Sequence, residues 1–191
     1  IQNNHFRVVI AERMLKLIKD DIFIWKGLSK NQIEKTIYLI ERSPSNSFDN
    51  ISGTDWNLEV DKKMYWQFLS KECLPKFKEE FCKRFNCPKM VVDNFWYQEY
   101  KKGDFHQKHI HSNCHFANVL FLKNCEINPT SILNYDIPKK YIVPGNILSF
   151  PAYRIHESKK HTSKKNKLIV SFNTNLINTL PSKPREIKYE T

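Results

Sequence analysis

Three histidines have the residue type and spacing that metal chemistry requires. His109 and His111 are separated only by Ile110, and His156 follows later in the chain. Residues two positions apart point to the same side of a β-strand, whereas on a helix they diverge. Imidazole is a ligand that suits iron, zinc, copper and nickel. The pair therefore predicts half of a metal site on a strand, and His156 is the candidate for a third ligand.

Two apolar runs accompany His156 and are typical of strands. The run from Gly145 to Pro151 ends at its proline just ahead of this histidine, and the second run begins at Lys167. Alternation along the second run predicts that four side chains share one face: Lys167, Ile169, Ser171 and Asn173. Burial of an ammonium group without a partner is unfavourable. Lys167, in a strand otherwise rich in apolar residues, is therefore a candidate binding residue.

The order of these motifs resembles that of the Fe(II)/2-oxoglutarate-dependent oxygenases, specifically a small oxygenase family related to prolyl hydroxylases. Trp96 and Gly103-Asp104 precede the two close histidines, and the proline-terminated run, His156 and the Lys167 strand follow. The likeness covers roughly residues 94–176. It implies Fe(II) and 2-oxoglutarate as cofactors and hydroxylation as the reaction.

The resemblance also implies roles for individual residues. His109, His111 and His156 would be the catalytic metal ligands, although the family uses two histidines and a carboxylate, which Asp104 or Glu157 could supply instead. Lys167 stands where the family has the arginine that binds 2-oxoglutarate, and it keeps the charge without the two-bond fork. The further candidates for co-substrate binding are Tyr100, Ser171 and Arg154.

The elements that must position these residues fall into two halves. The first half has helical patterns over residues 8–19, over 33–40 behind a capping box at Ser29-Lys30-Asn31-Gln32, and over 61–85 with a break or kink at Pro75. A loop is predicted between them, from Ser43 to Asn57. From Met90 onward short β-type runs dominate. The predicted fold is α+β or mainly β, a double-stranded β-helix (a jelly-roll, cupin-like core) with supporting N-terminal helices.

Length and composition predict one domain. The 191 residues are 40% hydrophobic, enough for a single packed core. We divide this domain into a helical supporting region (1–88), a β-helix core (89–178) and a tail (179–191).

No apolar stretch is long enough for a membrane span. Five cysteines, an odd number without a CxxC pair, predict reduced thiols and a cytoplasmic location.

A formal charge of +11 admits acidic partners, but a lysine-rich soluble surface explains it better, because the lysines are spread along the chain. Four lysines between His156 and the Lys167 strand are expected to surround the mouth of the site: Lys159, Lys160, Lys164 and Lys165. The substrate class left open is a peptide, an amino acid or another small molecule, with an anionic one favoured by these lysines.

Two other functions are compatible with the same residues. One is a cupin-like three-histidine dioxygenase that does not use 2-oxoglutarate and in which Lys167 steers an anionic substrate. The other is a basic nucleic-acid-binding module with a structural zinc, although no nucleic-acid-binding motif is present. Its zinc would be held by His106, His109, His111 and either Cys114 or His115. In the oxygenase interpretation, His106 and His115 are expected to be exposed.

Overall fold

The computed structural model describes residues 21–44, 46–48 and 51–177, so the helix predicted over residues 8–19 lies outside the described residues. The helices are α1 (Lys30–Ile40), α2 (Met64–Phe68) and α3 (Leu74–Arg84). The strands are β1 (Phe23–Lys26), β2 (Asn46–Phe48), β3 (Ser52–Thr54), β4 (Lys89–Tyr100), β5 (His106–His109), β6 (Phe116–Lys123), β7 (Thr130–Ile132), β8 (Asn146–Pro151), β9 (His156–Ser158) and β10 (Lys167–Ile177). None of the described helices has the length and apolar character to cross a membrane.

The strands form two antiparallel sheets that face each other. The larger sheet has the order β1-β8-β6-β10-β4-β3-β2, and the smaller has the order β5-β9-β7. One apolar cluster joins them, because Ile132 of the smaller sheet packs with Val119, Leu148 and Ile169 of the larger. Two sheets packed around a shared interior form a jelly roll, as the sequence predicted.

The opposite face of the larger sheet is covered by the helices. The apolar stripe predicted for residues 61–85 forms a second core with the sheet, to which Tyr65, Phe77 and Phe81 contribute from the helices and Leu120 and Phe172 from the strands. The predicted helical layer therefore supports the sheet from outside the barrel.

Local signals in the sequence determine where two of these helices begin. The capping box of α1 is confirmed: the Ser29 hydroxyl accepts a hydrogen bond from the Gln32 amide, and the Gln32 side chain accepts one from the Ser29 amide. Residues Leu69–Cys73 form a wider π-helical turn, and α3 then begins with Pro75 in its first turn. A proline is tolerated there because its missing N–H has no partner within the helix.

The predicted loop from Ser43 to Asn57 is wrong in part, because this segment contains the β2–β3 hairpin. β3 pairs with β4 through Gly53 opposite Glu99 and Thr54 opposite Gln98, and β1 joins the other edge of the sheet by pairing with β8. The first half of the chain therefore supplies three strands of the larger sheet in addition to its helices.

Candidate metal centre

Antiparallel pairing between the short strands β5 and β9 brings two of the three histidines together. His109 lies directly opposite His156, and their ring centroids are 4.1 Å apart. His111 lies just beyond β5, where its amide donates to the Ala152 carbonyl over 3.0 Å. One side-chain nitrogen from each histidine lies within 4.8 Å of the other two. The three histidines thus form a compact cluster on the inside of the smaller sheet.

Each ring of the cluster is oriented by a contact at its Nδ1 atom. The Nδ1 atoms of His109 and His156 lie 2.7 Å and 3.0 Å from the backbone carbonyls of Gln107 and Arg154. The Nδ1 atom of His111 lies 2.6 Å from Oδ1 of Asn173. Since all three partners are oxygen acceptors, each Nδ1 carries the proton and donates it. Every Nε2 atom then keeps a free lone pair, as metal-ligating histidines require.

Burial favours the neutral form of two rings of the cluster, His156 and His111. Burial lowers the pKa of His156 to about 3, a shift that the neighbouring His109 and His111 reinforce and the hydrogen bond to the Arg154 carbonyl opposes. Burial also lowers the pKa of His111. Neutral imidazole is the form that binds metal. These two rings are therefore available as ligands at neutral pH without losing a proton first.

Other residues that could have been ligands lie outside the cluster. Among the described residues, the only group of at least three histidine, cysteine or carboxylate side chains close enough to share a metal ion is this histidine cluster. Asp104 is engaged in a turn, where its carboxylate accepts from the Lys101 amide over 2.8 Å. Cys114 is half-buried and belongs to no such group. The four-ligand zinc site considered from the sequence is therefore not formed.

His106 is closer to the cluster than the sequence indicated. The expectation that it is exposed is wrong, because its ring stacks on that of His109 at a centroid distance of 4.0 Å and is partly buried. The cause is an irregular register: three steps along β5, from His106 to His109, lie opposite only two steps along β9, from Ser158 to His156. Such a bulge turns both side chains to one face. His115 is exposed, as expected.

Lys167 lies inside the barrel and is fully buried. Its ammonium donates to the Asn128 carbonyl over 2.8 Å and to the Ser158 hydroxyl, and it lies 4.1 Å from the centroid of the Tyr100 ring. No salt bridge to a carboxylate involves Lys167 within the described part of the chain. Burial lowers the pKa of its ammonium to about 8. Among the described residues, Lys167 is therefore a buried cation without a matching anion.

The remaining candidates for co-substrate binding differ in position. Tyr100 and Ser171 line the same internal cavity as the histidines, and the Ser171 hydroxyl donates to the Gln98 side chain over 3.2 Å. Burial raises the pKa of Tyr100 well above its usual value, so its hydroxyl stays protonated. Arg154 is engaged elsewhere, since its guanidinium binds both carboxylate oxygens of Asp21 at 2.9–3.2 Å. The structure does not bring Arg154 to the cavity.

The internal cavity connects the histidine cluster to the surroundings of Lys167. Its wall includes the three histidines and also Tyr100 and Ser158, which both contact Lys167. The cavity volume is about 30 Å³, which is room for roughly two water molecules. A five-carbon dicarboxylate therefore needs a wider cavity than this conformation has.

Solved structures with similar folds include several oxygenases. The chain matches a 2OG-Fe(II) oxygenase family oxidoreductase from Burkholderia pseudomallei with a TM-score of 0.64 and 11% identity, over 88% of this chain and 91% of that one. It matches a viral collagen prolyl hydroxylase from Paramecium Bursaria Chlorella virus-1, in complex with 2OG, with a TM-score of 0.59 and 16% identity, over 82% and 96%. The chain has the fold of the 2OG-Fe(II) oxygenases.

A third similar structure is HygX from Streptomyces hygroscopicus with nickel and 2-oxoglutarate bound, with a TM-score of 0.63, 8% identity and 85% of each chain covered. No protein-family model and no curated protein sequence matches the chain. Identities this low carry the fold alone. The similar structures confirm the predicted jelly roll, whereas the evidence for the chemistry comes from this chain's own side chains.

Proposed function

We propose that this protein is a non-haem Fe(II) and 2-oxoglutarate-dependent oxygenase that hydroxylates a peptide or small-molecule substrate. The observation that carries the proposal is the histidine cluster: three imidazoles whose Nδ1 atoms are all hydrogen-bonded and that each have one ring nitrogen within 4.8 Å of the other two. The similar folds of proteins with bound metal and 2-oxoglutarate support it.

His109, His111 and His156 would hold the metal, and their donor set fits iron because imidazole suits Fe(II). When bound, the iron and its co-substrate supply the chemistry that side chains lack, namely dioxygen activation coupled to decarboxylation of 2-oxoglutarate. The protein's own contribution is to fix the three rings. Asn173 and the carbonyls of Gln107 and Arg154 do so by accepting the Nδ1 protons. With only these three protein ligands, the metal would remain accessible to exchangeable groups.

Lys167 would bind the distal carboxylate of 2-oxoglutarate. The ammonium group is buried and lacks an anionic partner among the described residues, so a carboxylate would relieve an unfavourable burial. Tyr100 and Ser158 already contact it and also line the cavity that leads to the histidines. In this role the protonated Tyr100 hydroxyl would donate a second hydrogen bond, and Ser171 would contact the chain between the two carboxylates.

Binding of the co-substrate would require the cavity to widen beyond about 30 Å³. The Lys167 side chain is long and flexible, and its present hydrogen bonds are to Ser158 and Asn128. Exchange of these partners for a carboxylate would free space beside Tyr100. We therefore expect 2-oxoglutarate to bind by rearranging this end of the barrel while the histidine end stays in place.

The cellular compartment is part of the same proposal. All five cysteines are free thiols in the structure, and three of them are buried. Free thiols are typical of reducing compartments. A cytoplasmic enzyme is consistent with these observations.

Succinate formation tests the proposed function. Purified protein is loaded with Fe(II) without oxygen, and 2-oxoglutarate turnover is then measured in air with peptides, amino acids and neutral small molecules as substrates. We expect succinate from the parent protein, none from His109→Ala or His156→Ala, and unchanged turnover from the exposed control His115→Ala. Iron binding without any 2-oxoglutarate turnover would instead favour the three-histidine dioxygenase that does not use this co-substrate.

A further inference from the structure

A second opening reaches the histidine cluster from the surface and differs in character from its surroundings. This groove lies between the β2–β3 hairpin and the end of β5 and has a volume of about 440 Å³. Its wall includes Trp56, Ile110 and Ser52, together with His109 and His111 of the cluster. Its size is that of a typical small-molecule site. An occupant of the groove would lie directly beside the proposed metal.

The groove carries no charged residue. None of the twelve described residues that line it is Lys, Arg, Asp or Glu, although the chain has a net charge of +11. A neighbouring opening, beyond β5, contrasts with it, because Lys108, Lys159, Lys160 and Glu157 line that opening. An anionic substrate would find cations there and none in the groove. The groove is therefore suited to an uncharged molecule.

Aromatic rings extend from the surface of the groove to the histidines. Trp56 is 43% exposed, and its ring meets the buried ring of Trp96 edge to face at a centroid distance of 4.2 Å. Trp96 in turn lies 5.9 Å from the ring of His111. Exposed apolar side chains that cluster at one opening are typical of ligand grooves. Ile110, which is 56% exposed, also lines the groove.

The Trp56 side of the groove is held by a buried polar network. Asp55, the preceding residue, is fully buried; its carboxylate accepts from the Tyr65 hydroxyl at 2.8 Å and from the Tyr97 amide at 2.9 Å. Lys63 lies 4.0 Å from the same carboxylate. This network ties the chain before Trp56 to β4 and α2. The aromatic wall is thus preorganised.

One buried polar atom in the groove has no hydrogen-bond partner in the described part of the chain. Ser52 is only 2% exposed, and among the described residues nothing hydrogen-bonds to its hydroxyl. Buried hydroxyls are almost always paired in folded proteins. Because Ser52 lines the groove, a ligand can supply the missing partner. This observation is independent of the aromatic wall and indicates that the ligand has a hydrogen-bonding group.

From these features we infer that the groove binds the substrate to be oxidised, and that this substrate is an uncharged, ring-bearing small molecule. Its ring packs against Trp56 and Trp96, and a hydroxyl or amide on it bonds to Ser52. The inference rests on the proposed function, because the bound ring is the substrate to be oxidised only if the neighbouring histidines hold the metal. It replaces the anionic substrate that the lysine-rich sequence suggested.

Binding of three matched probes to the metal-free, full-length protein tests the inference. The probes are 2-naphthamide, 2-naphthoate and 2-naphthylmethylammonium, which share a ring system and differ in charge. Binding is followed through the indole N–H resonances of the four tryptophans, with that of Trp56 assigned from Trp56→Phe. We expect 2-naphthamide to shift the Trp56 resonance and to bind at least about tenfold more tightly than either ion, since burial of an unpaired charge is unfavourable.

Variants of groove residues test where 2-naphthamide binds. Trp56→Ala should weaken 2-naphthamide binding about tenfold and Ser52→Ala several-fold, whereas Tyr38→Ala, which removes an exposed aromatic ring on α1, should leave it unchanged. Equal or tighter binding of 2-naphthoate, insensitivity to both groove variants, or no shift at millimolar probe would overturn the inference. Neither iron nor 2-oxoglutarate is present, so failure here is distinct from failure of the succinate assay.

Discussion

The two faces of β10 perform different tasks. On the helix side, Leu168, Val170 and Phe172 pack into the aromatic core formed with the helices. On the barrel side, the alternate positions carry Lys167, Ser171 and Asn173, whose side chains reach Ser158, Gln98 and His111. Successive strand residues point to opposite faces. Alternate residues of β10 can therefore stabilise the core on one side and contact the site on the other. Substitutions on the helix side should therefore mainly reduce stability, and substitutions on the barrel side should mainly reduce binding at the site.

The largest effect is expected on the helix side. Phe172→Ala removes a fully buried ring that packs against Trp66 and Phe77, so it should lower the free energy of unfolding by about 3–5 kcal/mol. Ser171→Ala, the adjacent change on the barrel side, removes one hydrogen bond and should cost about 1 kcal/mol. Urea unfolding of both variants measures this difference. Equal destabilisation would remove the distinction between the two faces.

The second effect concerns Lys167 on the barrel side. Loss of a charge-assisted hydrogen bond of about 1.5–3 kcal/mol should raise the half-saturating concentration of 2-oxoglutarate by one to two orders of magnitude in Lys167→Ala. Lys167→Met, which keeps the volume, should behave alike, and iron affinity should change little in either. Unchanged half-saturation in both variants would mean that the carboxylate is bound elsewhere.

The third effect concerns Asn173, which orients His111. Asn173→Ala leaves the Nδ1 proton of His111 without its acceptor, and loss of such a partner weakens metal binding by about 10–100-fold. The matched control is Asn175→Ala, two positions along the same strand, whose side chain contacts residues 113 and 115 instead. Competitive titration with a chromophoric chelator measures both affinities. An equal loss in the control would exclude a specific role for Asn173.

The fourth effect is a pH dependence of 2-oxoglutarate binding. Burial lowers the pKa of Lys167 to about 8, and a carboxylate binds the ammonium rather than the neutral amine. Affinity should therefore be greatest below pH 8 and fall by up to about tenfold per unit above it, since one proton is lost. Lys167→Arg stays charged throughout and should give a flat profile from pH 7 to 9. A wild-type profile that is equally flat would exclude titration of Lys167.

The smallest effect concerns the four lysines between β9 and β10, of which Lys159 and Lys160 line the opening beyond β5. Lys159, Lys160, Lys164 and Lys165 are exposed, and the inferred groove for the substrate is uncharged. Activity should then vary only a few-fold as salt shortens the Debye length from about 30 to 8 Å. A steep decline with salt would favour an anionic substrate at the basic opening beyond β5.

The sequence indicated the three members of the histidine cluster, but their convergence depends on the pairing of β5 with β9, which no local signal contains. Strand alternation predicted His109 and His111 on one face; the two rings do lie close, with centroids 5.3 Å apart, but His111 lies just beyond β5 and not on the strand. The same alternation predicted the barrel face of β10 correctly. His106 was misjudged because a bulge breaks the two-residue period, and a bulge depends on the partner strand.

The features that the sequence did not reveal depend on distant partners. β2 and β3 are three residues long and mostly polar; they are strands because β3 pairs with the edge of β4 and β2 then pairs with β3. Arg154 was a candidate for the co-substrate until its pairing with Asp21, distant in sequence, became visible. Asp55 gave no motif at all, and only the fold brings Tyr65 and Tyr97 to it.

The central claim is that His109, His111 and His156 together hold one iron ion through their Nε2 atoms. Crystals of the protein grown with Fe(II) without oxygen, with diffraction data collected at the iron absorption edge, test it directly. We expect one anomalous peak inside the barrel, about 2.0–2.2 Å from each of the three Nε2 atoms. This distance is typical of bonds between divalent metals and imidazole. A peak bound by fewer than three of these histidines, or one at His106 or Cys114, would contradict it.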